Sequence, residues 1–241
     1  MSIIRTENLT KQYGTGPTAV TALHNLNINI NHGEFIAVMG PSGCGKSTLL
    51  QLLGGLDTPS SGRIWLDNTD IATLNDDQLT IFRRQNIGFI FQFFNLIPVL
   101  TAGENIILPL ILDGVPPAEA EQRGRLWLDR VNLANRWSHR PNELSGGQQQ
   151  RVAVARALAT NPTLILADEP TGNLDSRTAD EIIRLLRQIA SDYDRTILLV
   201  THDPRMSAHA NRIIFLKDGR IVDNANLTPH SNPIPTMEAI A

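Results

Sequence analysis

A single cysteine, Cys44, occurs in 241 residues. That excludes an intrachain disulfide and any multi-cysteine metal site, and suits a reducing compartment. A basic surplus is missing too. With a formal charge of -3, nothing drives the chain toward nucleic acid, whose binding depends on neutralising phosphates, so no nucleic-acid partner is expected. Long apolar runs are absent: the run 106–112 is interrupted by Pro109 and stops at Asp113, well short of the roughly 20 residues of a membrane helix. Any membrane association is therefore expected to come through a partner. The opening residues lack a basic segment followed by an apolar stretch, so no signal peptide is expected and the cytosolic side is implied. What remains is 41% hydrophobic and 19% charged, the composition of a folded domain long enough for one core with a subdomain.

Leu26, Ile28 and Ile30 alternate with Asn27, Asn29 and Asn31. This period of two predicts one half-buried antiparallel strand within a small opening β-layer. Residues 35–39 form an apolar run before a glycine-rich turn, and a helix is predicted from Ser47 through Leu53. Two further apolar runs, 163–167 and 196–200, flank the amphipathic stretch 179–190, and strand, helix, strand implies a parallel α/β core. Residues 213–216, Asp218-Gly219 and residues 220–222 read as a closing hairpin. Between the halves, about 101–159 reads as an inserted helical subdomain, broken at Pro116-Pro117 and Pro141. One domain over 1–223 is expected, followed by a loosely held tail over 224–241 that contains Pro229, Pro233 and Pro235.

Gly40, Pro41, Ser42, Gly43, Cys44, Gly45, Lys46, Ser47 and Thr48 fit the phosphate-loop pattern. Glycines let backbone N–H groups turn inward around phosphate oxygens, and the helix that follows adds its positive end. Lys46 would supply charge to the β and γ phosphates, and Ser47 a hydroxyl ligand to Mg²⁺. The bland alternative is a glycine turn, but a buried strand before and a helix after are the required context. Asp168 and Glu169 stand at the end of a predicted strand, where open α/β sheets bind ligands. Asp168 there suits Mg²⁺, and Glu169 suits the attacking water; read alone, the pair is equally a solvated acidic turn. Ser145, Gly146, Gly147 and Gln148 precede a predicted helix over 149–159. They make either a second anion-binding helix start or, by local chemistry alone, a plain N-cap.

The run Leu144 to Arg151, LSGGQQQR, resembles the signature motif of ABC ATPases, and the likeness extends over about residues 3–222. It implies a P-loop NTPase α/β fold with a mostly parallel sheet, an N-terminal antiparallel β-subdomain and an inserted α-helical subdomain. It further implies that Tyr13 stacks on adenine, Gln92 is the lid glutamine near the metal, Asp175 is the nucleotide-site aspartate of the Asn-Leu-Asp loop, and His202 contacts the γ phosphate. Each has a local alternative: a packed ring, a strand terminator, an N-cap and a structural histidine. The resemblance also implies a head-to-tail dimer of two copies around two ATP-Mg²⁺, with the Ser145–Gln148 motif of one copy over the nucleotide of the other. A membrane permease would contact the dimer near Phe93 and Phe94 at the cytoplasmic face of the membrane, while Phe89 and Phe91 are expected in the core. Residues 91–106 and 167–176 look similar to bacterial lipoprotein-releasing and macrolide-exporting ATPases, which favours export or extraction. The rival expectations are a soluble cassette in translation or repair, a cell-division role and an iron–sulfur scaffold.

Overall fold

The computed structural model describes residues 2–227. Strands β1 (Ser2–Tyr13), β2 (Val20–Leu26) and β3 (Asn29–Asn31) lead into β4 (Phe35–Met39), and helix α1 (Lys46–Leu53) separates these from β5 (Ser61–Leu66) and β6 (Thr69–Asp70). All but β4 form an antiparallel sheet with β1 as its spine: β2 and β3 pair with one edge of β1, and β5 with the other. The single strand expected around Leu26–Ile30 is thus two. Thr6 is the cause, because its buried hydroxyl donates to the Leu26 carbonyl and accepts from the Ile28 amide, interrupting the ladder between them. Leu26, Ile28 and Ile30 nevertheless all stay buried, as their period required.

Next come α2 (Asp76–Asn86), β7 (Ile87–Phe91), α3 (Ala102–Leu112), α4 (Pro117–Arg130) and α5 (Gly146–Ala159). Then β8 (Leu164–Asp168), α6 (Ser176–Asp192), β9 (Thr196–Val200), the short α7 (Pro204–Ser207), β10 (Arg212–Lys217) and β11 (Arg220–Asn226) complete the order. The second sheet runs β11-β10-β4-β9-β8-β7, parallel except for β11. Its central strands are apolar on both faces because both are covered. Ala37, Ile165 and Leu199 pack with Val152 of α5 and Ile182 of α6, whereas Val38, Leu166 and Leu198 pack with Leu49 of α1 and with Leu9 and Leu23 of the antiparallel sheet.

The closing hairpin turns at Asp218 and Gly219, both with positive φ, the geometry a two-residue turn needs. Its second strand corrects the expected tail. β11 stays paired with β10 to Asn226, and the Leu227 amide donates to the Asn211 carbonyl; residues 228–241 of the expected tail lie outside the described residues.

Half-buried His209 follows α7 and faces Arg184, Arg187 and Asp180 of α6. Burial, then Arg184, holds its pKa below the ordinary 6.5, with Asp180 opposing. A native imidazole harder to protonate than the unfolded one contributes stability that is complete above the unfolded pKa and lost as pH falls through it. The melting temperature is therefore expected to drop more steeply from pH ~7 to ~5 in the wild type than in His209→Gln. Parallel curves would contradict this origin.

Candidate functional site

Register brings the expected residues to one edge of the parallel sheet. Val38, Val200, Asp168 and Phe91 stand in one row across β4, β9, β8 and β7. The segments leaving these strands carry residues 40–48, His202, Glu169 and Gln92, so all four emerge side by side at the carboxyl ends, where ligands of such sheets sit.

After β4 the chain can turn only as glycine allows. A Cβ at Gly40 would stand 2.1 Å from the Leu216 carbonyl oxygen, and one at Gly45 (φ 105°) would stand 2.5 Å from that of Ala22. Gly45 is the left-handed N-cap of α1 and offers no side-chain acceptor to the helix, so the first amides of α1 are left for an anion. The Gly219 amide braces the loop through the Cys44 carbonyl. Cys44 is buried, whereas Pro41, Ser42 and Gly43 are exposed and Thr48 is partly buried. Lys46 is only 7% exposed, and its Nζ donates to the carbonyls of Gly40 and Pro41 at 2.9 Å each. A buried ammonium held by neutral carbonyls is a cation whose charge is available to an anion in the loop.

Ser47 Oγ donates to Asp168 Oδ1 at 3.4 Å. Burial raises the Asp168 carboxyl above its usual range; the Ser47 hydrogen bond opposes this, the neighbouring Glu169 adds to it, and Lys46 opposes it. Glu169 sits just past β8 with φ 43°, a left-handed conformation that costs a non-glycine residue roughly 1–2 kcal/mol. Two backbone bonds hold it there: its amide donates to the Val200 carbonyl, and its carbonyl accepts from the Gly172 amide. The strained turn aims its side chain at His202, whose Nδ1 lies 3.0 Å from Glu169 Oε1. Gln92 and Asn173 exchange hydrogen bonds, Nε2 to Asn173 Oδ1 at 3.4 Å and Asn173 Nδ2 to the Gln92 carbonyl at 3.0 Å. Asn173 was missed by sequence reasoning, although it lies inside the ADEPTGNLDS run.

Tyr13 ends β1 opposite Val20, on the sheet whose β2 presses against Gly45. Its hydroxyl donates to Asp57, which also takes Lys11 Nζ at 2.6 Å. Burial disfavours the charged Asp57, but hydrogen bonds from Lys11, Thr58 and Tyr13 outweigh it and hold the carboxyl below its usual range. Neither Lys11 nor Asp57 carried a sequence signal.

The second glycine-rich helix start stands apart. Ser145 caps α5 in a reciprocal box: its Oγ accepts from the Gln148 amide, and Gln148 Oε1 accepts from the Ser145 amide. That use leaves the Ser145 hydroxyl proton and the Gly146 and Gly147 amides free to donate to an anion. The neighbours are Leu174 and Phe94 at Gly146 and Thr178 at Gly147. Among the described residues, no hydrogen bond joins this turn to the phosphate-loop residues. Asp175 caps α6 through the Arg177 and Thr178 amides and accepts from the Thr178 hydroxyl; the Thr178 bonds are the main cause of its lowered pKa. The N-cap alternatives read for Ser145 and Asp175 are both present and compatible with a further role.

Of the four phenylalanines, Phe89 and Phe91 are half-buried rather than core. Their rings stack 5.7 Å apart, while Ile87 and Ile90 fill the interior. Arg156 of α5 donates to the carbonyls of Phe94 and Asn95, both in the left-handed region. That reversal leaves Phe94 half-buried and Phe93 72% exposed.

The family model described as ABC transporter matches residues 23–172. The chain is 49% identical over 223 residues to the uncharacterized ABC transporter ATP-binding protein MJ0796 of Methanocaldococcus jannaschii, covering 91% of this chain and 95% of that one. The dimeric post-hydrolysis structure of that cassette bound to ADP and Pi aligns with a TM-score of 0.86 at 46% identity, covering 94% of this chain and all of the other. The lipoprotein-releasing system ATP-binding protein LolD of Geobacter metallireducens is 46% identical, covering 92% of this chain and 98% of that protein. The macrolide export ATP-binding/permease protein MacB of Brucella melitensis is 44% identical over 98% of this chain, which spans only 36% of MacB.

Proposed function

Because the chain belongs to the ABC transporter family of ATP-binding proteins, we propose that it hydrolyses ATP as one half of a head-to-tail dimer and drives a separate membrane permease. The observation that carries this is a division of labour within one chain. Lys46, Ser47, Asp168, Glu169 and His202 gather at the carboxyl edge of the sheet, whereas the Ser145–Gly147 helix start has, among the described residues, free donors and no bond to that cluster. Two copies facing in opposite senses give each cluster the donors it lacks. The solved dimer of MJ0796 with ADP and Pi supports such a pairing.

In this reading Lys46 exchanges the Gly40 and Pro41 carbonyls for phosphate oxygens. Ser47 and Asp168 place two oxygen donors 3.4 Å apart beside the loop, a set that fits Mg²⁺ held by few protein ligands plus phosphate and water. Bound there, the ion would neutralise charge on the outer phosphates. Glu169 takes a proton from the attacking water, and His202 fixes the direction of that carboxyl and faces the γ phosphate. Gln92 orders the water and the metal side of the site, and Tyr13 stacks on adenine. Asp175, in the Asn-Leu-Asp loop, adds to the nucleotide-binding set.

Similarity to a lipoprotein-releasing ATPase and to a macrolide exporter supports export or extraction. No helix among the described residues is long and apolar enough to cross a membrane, in keeping with a peripheral place on the cytoplasmic face. Exposed Phe93 and Val99, beside partly buried Phe94, offer the apolar surface that a permease helix would cover. Phe93→Asp is expected to keep basal ATPase within about twofold and to lose co-purification with the permease. Undiminished co-purification would remove this surface from the contact. If no membrane protein ever accompanied the wild type, a non-transport role would be favoured.

A further inference from the structure

Gln150 is the wholly buried polar side chain of α5, and it follows Gly147 by one helical turn. Its Nε2 donates to the Pro170 carbonyl at 2.5 Å, with a longer contact of 3.5 Å to that of Phe91. Both partners are carbonyls, so the amide orientation is fixed: only the NH₂ group can satisfy them. Its Oε1 has no partner among the described residues, and burying an amide at that disadvantage costs more than filling the space with leucine would.

The two carbonyls it holds are informative. Pro170 follows Glu169, and Phe91 precedes Gln92. One amide therefore joins the backbone beside the water-activating carboxyl, by a short hydrogen bond, to the end of β7 beside the lid glutamine, by a long one, and it rides on the helix that starts at the Ser145 cap. We propose that Gln150 is a positioning residue for hydrolysis: it ties α5 to the backbone beside Glu169 and Gln92, so that nucleotide from the second copy, seated on Ser145–Gly147, sets both groups in place. It touches neither the substrate nor the reacting atoms. A continuous helix of 14 residues transmits a shift at its first turn to its second as a rigid body.

This rests on the ATPase reading, and the experiment separates the two. Gln150→Leu keeps the volume and removes both donors; Gln150→Met is a more adaptable second variant. Measured for each are kcat, the Kd for ATP, and ATP-dependent dimerisation in a Glu169→Gln background. The expected result is a fall in kcat of about tenfold or more, with Kd within about twofold of wild type and the dimer still forming. The proposal is overturned by kcat within about twofold of wild type. It is overturned equally by kcat, affinity and dimerisation falling together, which would leave Gln150 a fold element only. An inactive wild type would instead defeat the ATPase reading.

Discussion

Glu169→Gln is expected to abolish turnover while ATP stays bound, with kcat falling by about 100-fold or more and the protein migrating as a dimer in ATP. The substitution preserves the shape of the side chain and its place at the left-handed turn fixed by the Val200 and Gly172 bonds. What it removes is the capacity to accept a proton, and positioned acid–base catalysis contributes typically 10²–10⁴-fold. An amide at this position also eliminates a potential negative charge from the closed interface, so the bound triphosphate and the joined dimer persist. Unchanged hydrolysis would take Glu169 out of its role, and slow hydrolysis without dimer accumulation would break the link between turnover and release.

Lys46→Ala acts on the opposite half of the cycle. The buried ammonium is the only side-chain cation that the loop itself supplies, two carbonyls hold it in place, and its charge also opposes the raised pKa of Asp168. Charge-assisted hydrogen bonds contribute about 1.5–3 kcal/mol each. The Kd for ATP is accordingly expected to rise roughly 10- to 150-fold, as read by equilibrium binding, with dimerisation lost as a consequence. The variant also leaves Asp168 harder to ionise, which weakens the expected Mg²⁺ site further. Normal ATP affinity would contradict the phosphate-loop assignment.

The sequence made those parts legible whose chemistry is local. Strand β4, its glycine turn and α1 follow from an apolar run and fixed glycine spacing, and α6 follows from a period that buries Ala179, Ile182, Ile183, Leu186 and Ile189. Helix α2 was not read at all because none of its residues is buried, and only the Asn75–Gln78 capping box marks its start. The break after Leu26 was invisible for another reason: it depends on the Thr6 hydroxyl, 20 residues upstream. Phe89 and Phe91 misled because aromatic content signals a strand without saying how deeply the rings sink.

At the site, the phosphate loop, Asp168, Glu169, His202 and Gln92 are brought together by register, since neighbouring parallel strands end in one row, whereas the Ser145–Gln148 helix start stands apart from them. The residues that sequence reasoning missed, Asn173, Asp57 and Gln150, act through hydrogen bonds to partners 20 to 81 positions away. A buried polar side chain acquires its partner only when the chain has folded, so its type alone announces nothing.

The most direct measurement is a structure of the Glu169→Gln protein crystallised with ATP and Mg²⁺. The account predicts two copies with the Ser145 hydroxyl and the Gly146 and Gly147 amides of each at hydrogen-bond distance, about 2.7–3.2 Å, from the γ phosphate held by Lys46 of the other. Nucleotide bound in the loop of a lone copy, or in a dimer whose Ser145–Gly147 turns face solvent, would contradict it.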